Sequence, residues 1–379
     1  MAATLPKIVI AFQSLAASFI TRSERGIAIL IVREAGETVN SEYVAVTTSI
    51  QEVTLDTDLT AWSNANAARI ADMLEIAPAK VVVVTIDTGA AIKDATDIIE
   101  ENYANGRVTA VTTTADRNAL ATWAKAKKTY HALIFDTSGQ NSRYVENVYS
   151  QSITFNSDWD SGRSGQGTLV RSTATTEELL PLICAILSRS GTNGATSTVI
   201  DALSKVVEVS TPDTVVNNGN LILYNDWNGT DRVVRLGTAV NSLTTFDNTD
   251  DEGDKIEDMR YIEISEAADM IRADIKATFR DSYVGKMKNS VANQMQLLSA
   301  IGTYFDALAE EDILNAEGDN TAEINADAQR AAWVQIDPDA ADWDDDKVKS
   351  TPYKRNVYVA ASVQILHSMQ NLNMTVTLD

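Results

Sequence analysis

Two short stretches constrain the fold more than any others. "IAILIVRE" (residues 27–34) and "KVVVVTID" (residues 80–87) are apolar at nearly every position rather than at every second one. Alternate strand residues point to opposite faces, so a strand apolar on both sides needs cover on both sides. From residue 27 to about residue 210, strand-like and helix-like segments alternate. "AWSNANAARIADMLEIAP" reads as a helix, "AIKDATDIIEENY" as a helix and "RVTAVTTT" as a strand. "ADRNALATWAKAKK" is helical, "YHALIFD" extended and "TTEELLPLICAILSRS" helical. Short apolar strands separated by helices predict a parallel sheet covered on both faces, an α/β domain over residues 27–214.

The pattern changes after about residue 215. "GNLILYNDWNGTDRVVRLG" reads as two strands joined by a turn containing Asn228 and Gly229. The acidic loop "DNTDDEGDKIED" leads into two long amphipathic helices. Ile264, Ala268, Ile271, Ile275 and Phe279 share a face of the first. Val291, Met295, Leu298, Ile301, Phe305 and Leu308 do so on the second, at three- and four-residue spacing. A second acidic stretch, "DPDAADWDDD", precedes the strand-like "NVYVAASVQIL". Residues 215–366 are therefore expected to form a C-terminal α+β domain. Both ends of the chain alternate as half-buried strands do, with Ile8, Ile10 and Phe12 in "LPKIVIAF" and Leu372, Met374, Val376 and Leu378 in "NLNMTVTLD". The expected fold is thus α/β and α+β, with extended β-strand arms at residues 1–26 and 367–379.

Composition removes several classes of function. The formal charge of −22 argues against nucleic acid as a partner, because phosphate backbones require a basic surface. No apolar run reaches the roughly 18–20 residues that span a bilayer, so no membrane is expected. The start, "MAATLPKIVI", lacks the charged-then-apolar shape of a signal peptide, and synthesis in a bacterial cytoplasm is expected. The single cysteine, Cys184 in "LLPLICAIL", reads as a small inert core residue.

Candidate chemistry dissolves on inspection. Asp87 in "VVVVTIDTGA" and Asp136 in "LIFDTSG" mimic an aspartic-protease pair, but Ser138 interrupts the second motif. Both aspartates end apolar strands, where small polar residues cap the next turn or helix. "SGRSGQG" (residues 161–167) has Gln166 where a nucleophile elbow needs glycine, and it lacks the third glycine of a dinucleotide loop. His131 and His367 fit no zinc motif and read as structural imidazoles. Asn248, Asp250, Glu252 and Gly253 mimic the front of a calcium loop whose twelfth position is Met259 instead of glutamate. No catalytic, cofactor-binding or metal site is expected. One charge feature persists: Arg272, Lys276 and Arg280 recur every four residues and form a basic stripe, followed by Lys286 and Lys288, in a strongly acidic chain.

Without a catalytic constellation, and with strand-like ends, the chain points toward assembly by strand exchange. Several stretches, in order, resemble the tail sheath proteins of contractile phage tails, above all the compact sheaths of Gram-positive phages and phage-tail-like bacteriocins. They are "SLAASFITRSERGIAILIV", "AVNSLTTF", "DMIRADIKATFRDSYVGKMKN", "YFDALAEEDIL" and "VYVAASVQILHSMQNLNMTVTL". The resemblance implies a non-enzymatic homo-oligomer of stacked rings in a helical sheath around a tail tube protein, with baseplate and tail terminator proteins as further partners. It also implies arms that pair with a neighbouring subunit's sheet and a C-terminal-domain helix that holds the tube. The Arg272, Lys276 and Arg280 stripe is expected to mark that helix. A sheath of a non-phage contractile injection system is the alternative.

Overall fold

The computed structural model describes residues 20–39, 42–44, 46–111, 113–159, 172–247 and 254–376. The chain divides into two compact units, one made of Met1–Ser23 with Ile271–Leu366 and the other of Glu24–Met270 with His367–Asp379. The division does not fall at the expected 214/215 boundary. Residues 215–247 and 254–270 belong to the larger unit instead, and Asn220–Leu221 joins its main sheet.

The larger unit is built on seven strands: β1 (Ile27–Glu34), β2 (Ser49–Val53), β3 (Lys80–Asp87), β4 (Gly106–Ala110), β5 (Tyr130–Phe135), β6 (Val145–Val148) and β7 (Asn220–Leu221). Their order is β7-β6-β5-β4-β1-β3-β2, parallel throughout except for β2, which runs antiparallel along the β3 edge. The faces of this sheet are covered by α1 (Asn64–Ile76), α2 (Ile92–Asn102), α3 (Thr114–Lys127) and α4 (Leu180–Ser190).

The expectation of cover on both faces is met residue by residue. Ala28, Leu30 and Val32 of β1, with Val81 and Val83 of β3, join one apolar cluster with Ile70 and Met73 of α1 and Ile183 and Leu187 of α4. Ile27, Ile29 and Ile31, with Val82, Val84 and Ile86, join the opposite cluster with Ile99 of α2 and Leu120 of α3. Helix ends are closed locally. The Thr113 side chain accepts from the Asp116 amide at the start of α3, and the Asp94 carboxylate accepts from the Ala91 amide at the start of α2.

Beside the main sheet lie an antiparallel trio, Thr173–Thr175, Ser152–Phe155 and Leu203–Val206, and the predicted hairpin Leu223–Trp227 with Arg232–Leu236. In the hairpin turn, Gly229 has φ +99, and Asn228 Oδ1 accepts from the Thr230 and Asp231 amides.

Helix α5 (Ile262–Thr278) begins in the larger unit's stretch of chain and ends in the smaller's. Within the smaller unit, buried Asp274 accepts from Tyr304 Oη at 2.7 Å and from the Ser23 amide at 2.7 Å. Tyr304 lies on α6 (Val291–Glu310), whose buried face is Gln294, Leu297, Ala300, Ile301, Tyr304, Phe305 and Leu308. The expected apolar face of this helix holds at Ile301, Phe305 and Leu308 but fails at its start, where Val291 and Met295 are exposed, at 38% and 56%. The remainder is the hairpin Thr321–Ile324 with Val359–Ser362, and a helix Ala326–Val334 whose Trp333 packs on Trp343 and Tyr353. Much of "DPDAADWDDD" closes turns. Asp337 caps Pro338–Asp342, Asp344 caps Asp345–Lys349, and Asp345 pairs with Arg330.

Gly219, at the entry to β7, has φ +75, and a β-carbon there would lie 2.8 Å from Ser242 Cα and 2.9 Å from its carbonyl carbon. Gly219→Ala is expected to lower stability by about 2 kcal/mol through left-handed strain and backbone overlap. The midpoint of urea unfolding measures it, and an unchanged midpoint refutes the packing assigned here.

Candidate functional site

The most unusual site in the larger unit is a row of buried charges. The strand register sets Arg107 of β4 directly beside His131 of β5, and Leu133 of β5 beside Glu146 of β6. Arg107, His131 and Glu146 therefore project from one sheet face, the face on which Leu133 and Phe135 join the cluster of α1 and α4. Here the cover comes from the first turns of α5, which present Ser265, Glu266 and Asp269.

Arg107 makes a two-pronged contact with Glu146 (Nε to Oε2 2.7 Å, Nη2 to Oε1 2.8 Å) and reaches Glu266 at 2.7 Å. His131 sits between two carboxylates, with Nε2 3.0 Å from Asp269 Oδ2 and Nδ1 3.5 Å from Glu146 Oε1. Arg143, 1% exposed, donates to Asp269 (2.6 Å), Asp254 (2.8 Å), Ser265 Oγ (2.9 Å) and Tyr144 Oη (2.6 Å). Lys128 Nζ completes the rim at 2.9 Å from Asp254.

Burial works against the charges of Arg107, His131, Arg143, Glu146, Asp254 and Asp269, and their partners outweigh it. For Glu146, burial is overcome by the Arg107 field, by the nearby His131 and by hydrogen bonds from Arg107, which bring its pKa down to about 2. Asp254 is likewise held down to about 2, against burial, by Lys128 and Arg143. Burial also opposes protonation of His131, but its hydrogen bond to Asp269 and the nearby Glu146 carboxylate push it up to about 9. The two flanking carboxylates thus favour the charged imidazole, and its role here is structural. A charged residue inside a run of buried strand was the available signal: "RVTAV", "YHALIF" and "VENV" each carry one.

The other sequence candidates do not converge. Asp87 Oδ1 accepts from the Gly89 amide at 2.8 Å and Oδ2 from the Val46 amide at 3.3 Å, a turn-closing role. Asp87 ends β3 and Asp136 follows β5, strands that are three spacings apart in the sheet, roughly 14 Å. That separation prevents the shared proton of an aspartic protease. At the reversal of strand order around β1, where α/β sheets commonly hold ligands, Arg33 bonds the carbonyls of Asp87, Thr88 and Ala90 and pairs with Asp116. Cys184 is buried, its thiol pushed up to about 12 mainly by desolvation. "SGRSGQG" and the calcium-like Asn248, Asp250, Glu252 and Gly253 lie outside the described residues, as do Ile8, Ile10, Phe12 and Leu378.

Arg272, Lys276 and Arg280 are all exposed. Arg280 lies in the wider helical turn Phe279–Tyr283 that follows α5, and it pairs with Asp281. Leu372, Met374 and Val376 are 85%, 73% and 65% exposed and belong to no ladder among the described residues. The last described residues thus carry three apolar side chains in water.

The fold recurs in solved sheath proteins. The helical sheath of the anti-feeding prophage in its contracted state matches over 100% of both chains, with a TM-score of 0.65 and 14% identity. A sheath tail protein from Desulfitobacterium hafniense matches with a TM-score of 0.61 and 12% identity, covering 84% of this chain and 94% of that one. This is the fold of tail sheath proteins. Residues 254–379 match the family model described as the phage tail sheath C-terminal domain. The tail sheath protein of Clostridium phage phiCD119 is 21% identical over 99% of both chains. The resemblance to tail sheath proteins read from the sequence stands.

For His131, whose folded pKa lies above the ordinary histidine value, the stability it adds is complete below about pH 6.5 and is lost as pH rises through about 9. Glu146 and Asp254, held low, lose theirs as pH falls from about 4.5 toward 2. Thermal unfolding is expected to show the first decline between pH 6.5 and 9, on the order of a few kcal/mol. In His131→Gln that decline should flatten; an equally steep decline in the variant removes His131 as its source.

Proposed function

We propose that this chain is a structural subunit of a contractile tail sheath. It polymerises helically around an inner tail tube in a metastable extended state and contracts to drive the tube through a target cell envelope. The observation that carries this reading is the full-length match to a contracted helical sheath. The role is mechanical, and no catalytic step is assigned to it.

The physical logic uses features already described. Extended arms at residues 1–26 and 367–379 add main-chain hydrogen bonds to a neighbour's sheet edge, with Ile8, Ile10, Phe12, Leu372, Met374, Val376 and Leu378 supplying the buried side. Such pairing survives rotation of the rigid body from which the arm departs. The exposed Arg272, Lys276 and Arg280 stripe faces the tail tube protein, and baseplate and tail terminator proteins bound the assembly at its ends. Contraction is then a switch between two packings, downhill by a modest amount per subunit and multiplied along the array. Synthesis is in a bacterial cytoplasm, with assembly into a virion tail or a released tail-like particle. A second reading, the sheath of a non-phage contractile injection system, is favoured by the likeness to the anti-feeding prophage; the genes flanking this one separate the two.

Negative-stain microscopy of the purified protein is expected to show long hollow cylinders; uniform small particles at high concentration would count against a sheath. Reversing Arg272, Lys276 and Arg280 to glutamate is expected to leave the subunit folded but strip most assemblies of tube. Unchanged tube-filled particles would sink that assignment. Deleting residues 371–379 should abolish polymerisation while leaving the subunit folded. Loss of folding would instead make the segment an internal strand.

A further inference from the structure

The C-terminal segment does not leave the larger unit freely. The Ser368 amide donates to Glu263 Oε1 at 3.1 Å. His367 stands edge-on to the Tyr261 ring, with centroids 5.2 Å apart. Its ring nitrogens lie 3.7 Å from Asp258 Oδ1 and 3.8 Å from Glu263 Oε1. Gln370 and Asn371 lie in a groove with Tyr224, Arg260 and Tyr261. Beyond that point Leu372, Met374 and Val376 are exposed. Met369, inside the contacting stretch, is fully exposed as well, so the segment is held at single points, His367, Ser368, Gln370 and Asn371, rather than buried.

Glu263 is costly where it stands. It is 4% exposed in the first turn of α5, and a buried carboxylate is tolerated only when its oxygens are satisfied. The space it occupies exists because residue 194 is glycine. A β-carbon on Gly194 (φ +77) would lie 2.2 Å from Glu263 Oε2 and 3.3 Å from Ser368 Oγ. A carboxylate, a main-chain amide and a missing side chain, from three separate stretches of sequence, thus meet at one point. Nothing in the buried charge row requires this carboxylate, since Arg107 and Arg143 are served by Glu146, Glu266, Asp254 and Asp269.

We infer that Glu263 and Gly194 form a latch that clamps the root of the C-terminal arm at Ser368, so that the larger unit sets the point and direction from which residues 372–379 reach a neighbouring subunit. Glu263 is a positioning residue that acts through the arm. The inference rests on the arm-donation reading above, but its first readout does not.

Amide hydrogen exchange on the full-length protein tests the latch, with Glu263→Ala removing the acceptor and Gly194→Ala displacing it. In both variants exchange at Ser368 is expected to speed up by roughly tenfold or more, the loss of one charge-assisted hydrogen bond. Exchange in β1 should stay unchanged, and microscopy should show short or irregular cylinders. Glu263→Gln, which keeps an acceptor oxygen in place, is expected to behave close to the parent. Unchanged exchange at Ser368 in the alanine variants overturns the latch. So does an equal acceleration in β1, which would mean a merely structural role. If the 371–379 deletion still forms normal cylinders, arm donation fails while the exchange result stands. If that deletion abolishes cylinders yet both alanine variants build normal ones, the latch fails and arm donation survives.

Discussion

The ion pair between Arg107 and Glu146 is the contact on which the larger unit turns. Two unlike charges, on the strands flanking β5, have been taken out of water, and each is answered a second time, Arg107 by Glu266 from outside the sheet and Glu146 by His131 of β5. Pairs of this kind add little net stability compared with apolar residues of the same volume, because desolvation consumes most of the attraction. What they enforce is specificity. Removing any member strands the others in a medium that cannot solvate them, so β4, β5 and β6 and the opening turns of α5 have one arrangement that leaves no charge unanswered. The oily remainder of the sheet would tolerate many small shifts of packing; this row does not.

That difference suits a protein whose function is read as mechanical. A subunit that changes neighbours must deform at its connections and hold firm within its body. Around β1 the body is doubly covered by apolar clusters, and the charge row pins the start of α5 to it. The contacts proposed to change hands are of another kind: the exposed apolar side chains of Leu372, Met374 and Val376 and an exposed basic stripe in a chain of net charge −22. Main-chain pairing and surface charge are both independent of how a core is packed, so they can be made and remade without unfolding anything.

Much of the architecture was legible in advance for simple reasons. Each helix expected between residues 27 and 190 is present, because its apolar residues recur at helical spacing between strands that are apolar on both faces. The hairpin around Asn228 and Gly229 was likewise written in its turn. What escaped was pairing over long range. Asn220–Leu221 is too short to announce itself, yet it extends the main sheet and carries the chain past the expected domain boundary at 214/215. The face of α6 was misread at its start, since Gln294 is buried where Met295 is not. An amide that is enclosed and a thioether left in water both run against the polarity on which a periodicity argument depends.

The site shows the same division. Arg107, His131 and Glu146 were visible as charged residues in strands that should be dry, but nothing in their separate segments says that they face one another. Strand order and register decide that, and both are set by how distant segments pair. Gly194, Glu263 and Ser368 are further apart still, and only the folded chain brings an absent side chain, a carboxylate and an amide to one point. The sequence by itself determined the local elements, the covered parallel sheet and the alternating pattern of the ends, because those follow from the spacing of apolar residues along the chain. The tertiary structure alone decided which charges are answered and where the arm is held, because those depend on contacts between residues that no local pattern connects.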